Sequence, residues 1–385
     1  MRKTLTTLSL TVVVLLSLGI VLLASASAVR AQGLFADPHF FVKRQLIWLF
    51  FSVAVVCAMM RFDYHWWKET PYLVVGIYIA VVLGLLLVFV PGIGGMVKGS
   101  YRWINLGPLR MQPSEFSKIL VVIVMSLWLD RIGWRIRQFI KGAVIPAAML
   151  ALLVVLLLAE PDFGATLVVL VAGGALMFVA GTRLVYLIIF GGGALAAVAC
   201  LLALNPNRME RIMAWWTTPE AGASASPAAY QVEQALVAFK NGGPWGVGFN
   251  QSIQKYNYLP EAHTDFIFAI GGEELGFTFS MGVVLAYVVI LICGILISMR
   301  APDNFGRLLA FGMTLLLIFQ AAFNIGVVTD CLPTKGLALP FISYGGTNLI
   351  VSLFAIGTLL NIGRHIDVFD ERLHTQVVKN AVLKL

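Results

Sequence analysis

The chain has 385 residues, 59% of them hydrophobic and only 12% charged, with a mean hydropathy of +0.90. Soluble domains lie near about 45–50% apolar and about 25% charged, which excludes an ordinary soluble enzyme and points to a chain that mostly faces lipid. In that setting the formal net charge of +8 reads as loop charge that fixes orientation, so no nucleic-acid partner is expected.

The N-terminus resembles a secretory signal: Arg2 and Lys3 precede an apolar run from Leu8, and "ASASA" at Ala24–Ala28 mimics a cleavage site. The run is long enough for a full span, and an uncleaved first helix is expected. Runs of spanning length then follow in order: Leu8–Val29, Gln45–Met60, Tyr72–Val90, Phe116–Leu129, Ala143–Ala159, Ala165–Ala180, Leu184–Leu204, Phe266–Met299, Leu308–Val328 and Asn348–Ile362. The expected fold class is therefore an all-α integral membrane protein of about ten helices, with residues 1–385 as one polytopic unit. The eighth run exceeds one membrane thickness, so part of it must tilt or project. Gly173, Gly174, Gly191, Gly192 and Gly193 lie inside runs and suggest close helix packing.

Arg131, Arg135, Arg137 and Lys141 form the densest basic cluster, between runs four and five, so that loop and both termini are expected in the cytoplasm. Arg2, Lys3, Arg61, Lys68, Arg183, Arg300, Arg307 and Arg364 then share that side. The opposite side carries Arg30, Lys43, Arg44, Arg102, Arg110, Arg208, Arg211, Lys240, Lys255 and Lys335, and one large loop, residues 205–264. Within it "VEQALVAF" places Val232, Leu236 and Phe239 on one helical stripe, an amphipathic helix suited to a membrane surface. The tail 363–385 is short, polar and basic, and is expected to be partly ordered. The cysteines show no C-x-x-C or metal-type spacing.

Three polar stretches gather on the external side. "YLPEAHTDFIFAIGGEELG" (Tyr258–Gly276) holds Glu261, His263, Asp265, Glu273 and Glu274 at the mouth of run eight. Asp265 there fits either a helix cap or catalysis. Glu273 and Glu274 lie deeper and call for a cationic partner on another helix, whereas Glu261 and His263 read as solvated loop residues. "GSYRWINLGPLRMQPSEFSK" (Gly99–Lys118) brings Arg110, a forked donor suited to phosphate, and Glu115 with Lys118, which share a helical face. "LPTKGLALPFISYGGTN" (Leu332–Asn348) brings Lys335 and Ser343 on an irregular backbone of the kind that lines cavities. Cations and a base beside an apolar groove suit a lipid that carries phosphate.

"RWINLGPLRMQPSEFSK", "EPDFGAT", "YLPEAHTDFIFAIGGEELG" and "LPTKGLALPFISYGG" together resemble the FtsW/RodA (SEDS) family over nearly the whole chain. "SASAVRAQGLFADPHFFVKRQLIW" and the "PTKG" spelling resemble the division branch. The resemblance implies a peptidoglycan glycosyltransferase that polymerises lipid II at the outer face of the plasma membrane, at the division septum. It also implies a class B penicillin-binding transpeptidase and other division-complex membrane proteins as partners. Asp265 matches the family's essential aspartate and would be the general base. Arg110, Glu115 and Lys118 match its charged residues near the fourth helix. Arg110, Lys118 or Lys335 could stabilise the leaving diphosphate, a divalent cation (Mg or Mn) could share that work, and Glu261, His263 and Ser343 would shape the site. Asn257 stands where many members carry a glutamate. Three rival readings remain: a lipid II flippase, an elongation polymerase and a division scaffold.

Overall fold

The protein, seen as a computed structural model, is described for residues 1–97, 100–106, 109–203 and 227–382, with positions 209 and 213. Arg208, Arg211 and most of the first half of the external loop lie outside the described residues. In chain order the elements are α1 (Arg2–Phe35), α2 (Phe40–Arg61), the short α3 (Trp66–Glu69) and α4 (Pro71–Leu87). A three-stranded antiparallel sheet follows, β1 (Gly94–Val97), β2 (Ser100–Leu106) and β3 (Leu109–Met111). Then come α5 (Pro113–Ile132), α6 (Ile145–Ala159), α7 (Phe163–Ala180), α8 (Leu184–Ala203), α9 (Pro227–Gly242), α10 (Ile267–Arg300), α11 (Asn304–Val328) and α12 (Gly346–Val382).

Each apolar run lies on a helix, and the helix ends obey local chemistry. Pro71 and Pro113 open α4 and α5, where the missing N–H is an orphan anyway. Asp162 and Asp303 cap α7 and α11 by accepting from Ala165 N and Gly306 N. Among the described residues seven helices are long and apolar enough to cross a membrane. The chain is a multi-pass membrane protein. The core lies where α5, α7, α11 and α12 meet, with Val122, Leu129, Val169, Leu176, Met313, Leu317, Val351 and Ile356 buried. Leu8, Leu15 and Leu22 of α1 are also fully buried, so the first helix is part of this core.

The helical fold class holds, with a small sheet added that hydropathy does not mark, and "SYRWINL" carries the β-formers Tyr101, Trp103 and Ile104. The sheet's register pairs Ile104 with Met111 and Asn105 with Arg110. The eighth run, too long for one span, is divided in two. It breaks at Gly276 (φ 77°, ψ −171°), a conformation only glycine adopts readily. The result is a buried half-helix, Ile267–Leu275, and a spanning helix from Phe277. Loop backbone replaces the lost hydrogen bonds. Phe277 N donates to Gly243 O (2.9 Å), Val247 N to Glu273 O (3.0 Å) and Gly248 N to Glu274 O (3.1 Å).

The apolar stripe of α9 is divided between the protein and the exterior. Val232, Ala235 and Ala238 are buried while Leu236 is exposed. Gly242 packs so closely on the half-helix that a Cβ there would lie 2.1 Å from Gly272 O. Of the five glycines expected to pack closely, Gly173 does so, against Leu150, whereas Gly174 and Gly191–Gly193 have open space around them. In the tail, α12 continues to Val382.

Candidate active site

The three polar stretches converge on one cavity of about 680 Å³. Arg30, Arg44, Arg102, Arg110 and Lys335 line it beside Glu115, Asp162, Glu261 and Asp265, and Leu34, Phe35, Phe40 and Trp48 form an apolar wall. Five cations around four carboxylates give a concave surface suited to an anionic ligand with a greasy portion.

Asp265 immediately precedes the half-helix. The N-cap position belongs to Phe266, one residue after Asp265. Its backbone carbonyl accepts from Asn324 Nδ2 (2.8 Å), which also donates to Leu337 O (2.6 Å). Its carboxylate lies against Gly336, where a Cβ would come within 2.5 Å of Oδ2. The 332–345 segment is stitched to the aspartate's own loop. Ser343 Oγ donates to Thr264 O (2.6 Å) and accepts from Leu339 N (2.8 Å), and Tyr344 N donates to His263 O (3.1 Å). Ser343 is thus a fastener buried behind the cavity. His263 is buried too, its ring against Phe41 (4.7 Å) and Tyr344 (5.9 Å), which corrects its reading as a solvated loop residue. Glu261 pairs with Arg30 (3.2 Å) and takes the Thr264 hydroxyl, so it is not simply solvated. The Lys335 ammonium sits 4.8 Å from the centre of the Phe163 ring.

The expected Glu115–Lys118 pair is present at 2.7 Å. Lys118 is fully buried, also reaches Gln320 Oε1 (3.4 Å), and lies beneath Glu115 rather than on the cavity wall. Gln320 continues the chain of contacts to Ala338 O and Asn348 Oδ1. Arg110 stands exposed on the wall. Burial raises the pKa of Tyr344, and the guanidinium groups of Arg44 and Arg110 oppose that shift.

Several residues of the site went unread in the sequence. Asp162 accepts from Ser114 Oγ (2.8 Å) and Gln112 Nε2 (3.1 Å) while capping α7. Burial pushes its pKa up, but the Arg102 guanidinium and these donors leave it below the ordinary carboxylate value. Its neighbour Glu160 shows the reverse: burial and the nearby Asp162 charge push it up to about 9, with Arg102 opposing. Arg102 donates to the Glu160 and Pro161 carbonyls. A sequence signal existed, since "EPDFGAT" places two carboxylates between apolar runs.

Glu273 and Glu274 are both partnered, but the one cation involved is not on another spanning helix. Glu274 pairs with Lys255 of the loop (3.1 Å) and accepts from Ser25. Among the described residues Glu273 has no ion-pair partner. It accepts from Ser252 Oγ, the backbone N–H groups of Ile253 and Gln254 (3.3 Å each) and Asn241. Asn257 adopts a left-handed backbone (φ 68°), which asparagine tolerates better than most residues.

The FtsW/RodA/SpoVE family profile, described as cell cycle protein, matches residues 6–367. The chain belongs to that family. It is 42% identical over 355 residues to the probable peptidoglycan glycosyltransferase FtsW of Trichlorobacter lovleyi, covering 92% of each chain. Among solved structures it resembles a chain from a peptidoglycan synthase complex with coordinated polymerization and crosslinking (TM-score 0.74, 27% identity, covering 93% of this chain and 97% of that one). It also resembles the rod shape determining protein RodA of Thermus thermophilus (TM-score 0.68, 26% identity, 93% and 95% covered). The FtsW/RodA fold thus places the charged cavity at one end of a bundle of apolar helices.

Proposed function

We propose that the protein is a peptidoglycan glycosyltransferase that polymerises lipid II at the outer face of the plasma membrane during septal wall synthesis. The observation that carries this reading is the Asp265 carboxylate, held against Gly336 inside a cavity lined by five cations. The kinship to chains named FtsW supports the division role. Asp265 takes the proton of the acceptor sugar O4 as that oxygen attacks C1 of the donor sugar. The C1–O bond to the diphosphate breaks on the opposite face, and the centre inverts. Arg110 and Lys335 face the charge that develops on the leaving diphosphate. Lys118 acts indirectly, by holding Glu115 in place.

A divalent cation of the Mg or Mn class fits as an auxiliary only. Among the described residues no three carboxylate or histidine ligand atoms converge in this cavity, and such ions are commonly held by one or two carboxylates together with substrate phosphates. Asp265 and Glu261 are the residues that would hold it, and its charge would assist departure of the diphosphate. A class B penicillin-binding transpeptidase is the partner proposed, supported by the likeness to a synthase complex. Both termini face the cytoplasm in this reading, supported by the exposed Arg131, Arg135 and Arg137.

The test is polymerisation of lipid II by purified protein in liposomes, with and without the transpeptidase. Glycan strands lost in Asp265→Asn support an enzyme. Translocation of lipid II without strands would make it a flippase, and full function of Asp265→Asn in dividing cells would make it a scaffold.

A further inference from the structure

A second cluster of chemical groups lies at the end of the bundle away from the cavity. α2 meets the cavity with Phe40 and Arg44 and runs 22 residues, about 33 Å, before the chain reaches Asp63 and His65. α12 starts at the cavity with Gly346 and Asn348 and passes His365 about five turns later. The N-cap of α11, Asp303, joins them at this end.

The distances are short. His65 Nδ1 lies 2.7 Å from Asp63 Oδ1, His365 Nε2 lies 3.3 Å from Asp63 Oδ2, and His65 Nε2 lies 3.6 Å from Asp303 Oδ1. One ligating atom from each of Asp63, His65 and His365 falls within 4.8 Å of the other two. The frame around them is fixed. Tyr64 is fully buried, its N–H donates to Asn361 Oδ1 (3.1 Å), and its hydroxyl donates to Asp303. Asn361 in turn holds the carbonyls of Met59 (2.8 Å) and Phe62 (2.6 Å).

Counting protons shows that the cluster calls for added positive charge. His365 Nδ1 lies 2.9 Å from Asn361 O. A carbonyl only accepts, so Nδ1 carries the hydrogen and a neutral ring turns its Nε2 lone pair toward Asp63 Oδ2. Two acceptors 3.3 Å apart repel unless a positive charge joins them. Both nitrogens of His65 face carboxylate oxygens, yet a neutral ring has one N–H. Asp303 Oδ2 is buried without a hydrogen-bond partner. Two extra protons or one divalent cation would balance the cluster. Two features favour the cation. A backbone carbonyl fixing the far nitrogen of a histidine is the usual support of a metal-ligating imidazole. A 3.3 Å separation is about the edge of a tetrahedron with bonds of about 2.0–2.1 Å.

We propose that Asp63, His65 and His365 bind a divalent transition-metal ion of the zinc class, with Asp303 as an outer carboxylate. Two imidazoles and one carboxylate suit zinc-like ions better than magnesium or calcium. The ion clamps the α2–α3 link to α12 and, through Tyr64 and Asp303, to the start of α11. It is separate from the cavity and from the glycosyl transfer proposed there.

The test uses full-length protein in detergent, stripped with a chelator and titrated with Co(II) as a spectroscopic probe and with Zn(II). One equivalent should bind, Co(II) should show the visible bands of a tetrahedral site, and Zn(II) but not Mg(II) should raise the unfolding temperature. His65→Asn/His365→Asn should weaken binding by roughly tenfold or more and leave lipid II polymerisation unchanged. Absence of saturable one-equivalent binding to the wild type overturns the proposal, as does undiminished binding by the folded double variant. Histidine NMR showing both rings doubly protonated at pH 7, with no metal uptake, also overturns it. If the double variant does not fold, the wild-type titration alone decides.

Discussion

Gly336 and Asp265 touch: a methyl group added at 336 would sit 2.5 Å from Asp265 Oδ2. The glycine is not there for a left-handed turn, because its backbone lies outside that region. It lets the 332–345 segment close over the carboxylate. Gly336→Ala should therefore fold and insert normally yet displace the Asp265 side chain. Misplacement of about 1 Å costs about 10²-fold in rate, and lipid II polymerisation should fall by that order. Wild-type activity in a folded Gly336→Ala protein would show that the contact does not constrain the carboxylate.

Lys255 and Glu274 form an ion pair with almost no exposure on either side, and it ties the external loop to the half-helix behind Asp265. Removing one partner of such a pair strands a buried charge, at a cost of about 3–5 kcal/mol. Lys255→Met should lower thermal stability by that order. Lys255→Met/Glu274→Met should recover much of the loss, since replacing both charges is often close to neutral. Thermal unfolding of the purified variants checks the pattern; a double variant less stable than either single would contradict it.

These two relationships show what the sequence could and could not reveal. Hydropathy marked every long helix, because lipid demands long uncharged runs. The charged stretches marked the cavity, because charge near a membrane mouth is costly and must be placed. Partners were harder. Glu274 meets Lys255 and Ser25 only because the chain breaks at Gly276 and folds a loop against the break. An over-long run with a glycine just after two glutamates was the available sign. Arg102 was hidden because a short hairpin, outside any apolar run, carries it to Glu160. At Asp265 the residue type fits both a cap and a base, and the N-cap position falls on the next residue, Phe266.

Glu160 makes stability depend on pH. Its carboxyl titrates near 9 in the folded protein against 4.5 for the ordinary group, so the folded state holds a proton that the unfolded state releases. Stability from this group is full below about 4.5 and falls as pH rises toward 9. The loss is of order a few kcal/mol across that window. Glu160→Gln cannot ionise and should lose less between pH 6 and 8.5. Unfolding temperatures of both proteins at those two pH values test this; parallel curves would exclude an ionising Glu160.

Orientation is open to labelling. Cys57, Cys200 and Cys331 are exposed free thiols, so the background must be cysteine-free. Tyr256 in the external loop and Arg135 between α5 and α6 are both exposed. In intact cells Tyr256→Cys should react with a membrane-impermeant thiol reagent, and Arg135→Cys should react only after permeabilisation. The reverse pattern would invert the molecule and put the cavity in the cytoplasm.

Asp265→Asn separates the roles this residue could fill. Asparagine keeps the shape of the side chain beside Gly336, and the backbone carbonyl that Asn324 holds at 2.8 Å is untouched, so the half-helix and its loop should stay in place. What disappears is the capacity to take a proton from the acceptor hydroxyl. A positioned general base contributes about 10²–10⁴-fold, and polymerisation should fall within that range while folding, insertion and transpeptidase binding persist. Asp265→Glu should recover little, because the added methylene pushes the carboxylate into the 336 backbone that already touches it. A merely structural carboxylate predicts another order, with Asn tolerated and Glu harmful to folding. Glycan strand synthesis measured beside unfolding temperature distinguishes them: a stable Asp265→Asn protein working at the wild-type rate would end the assignment of Asp265 as the base.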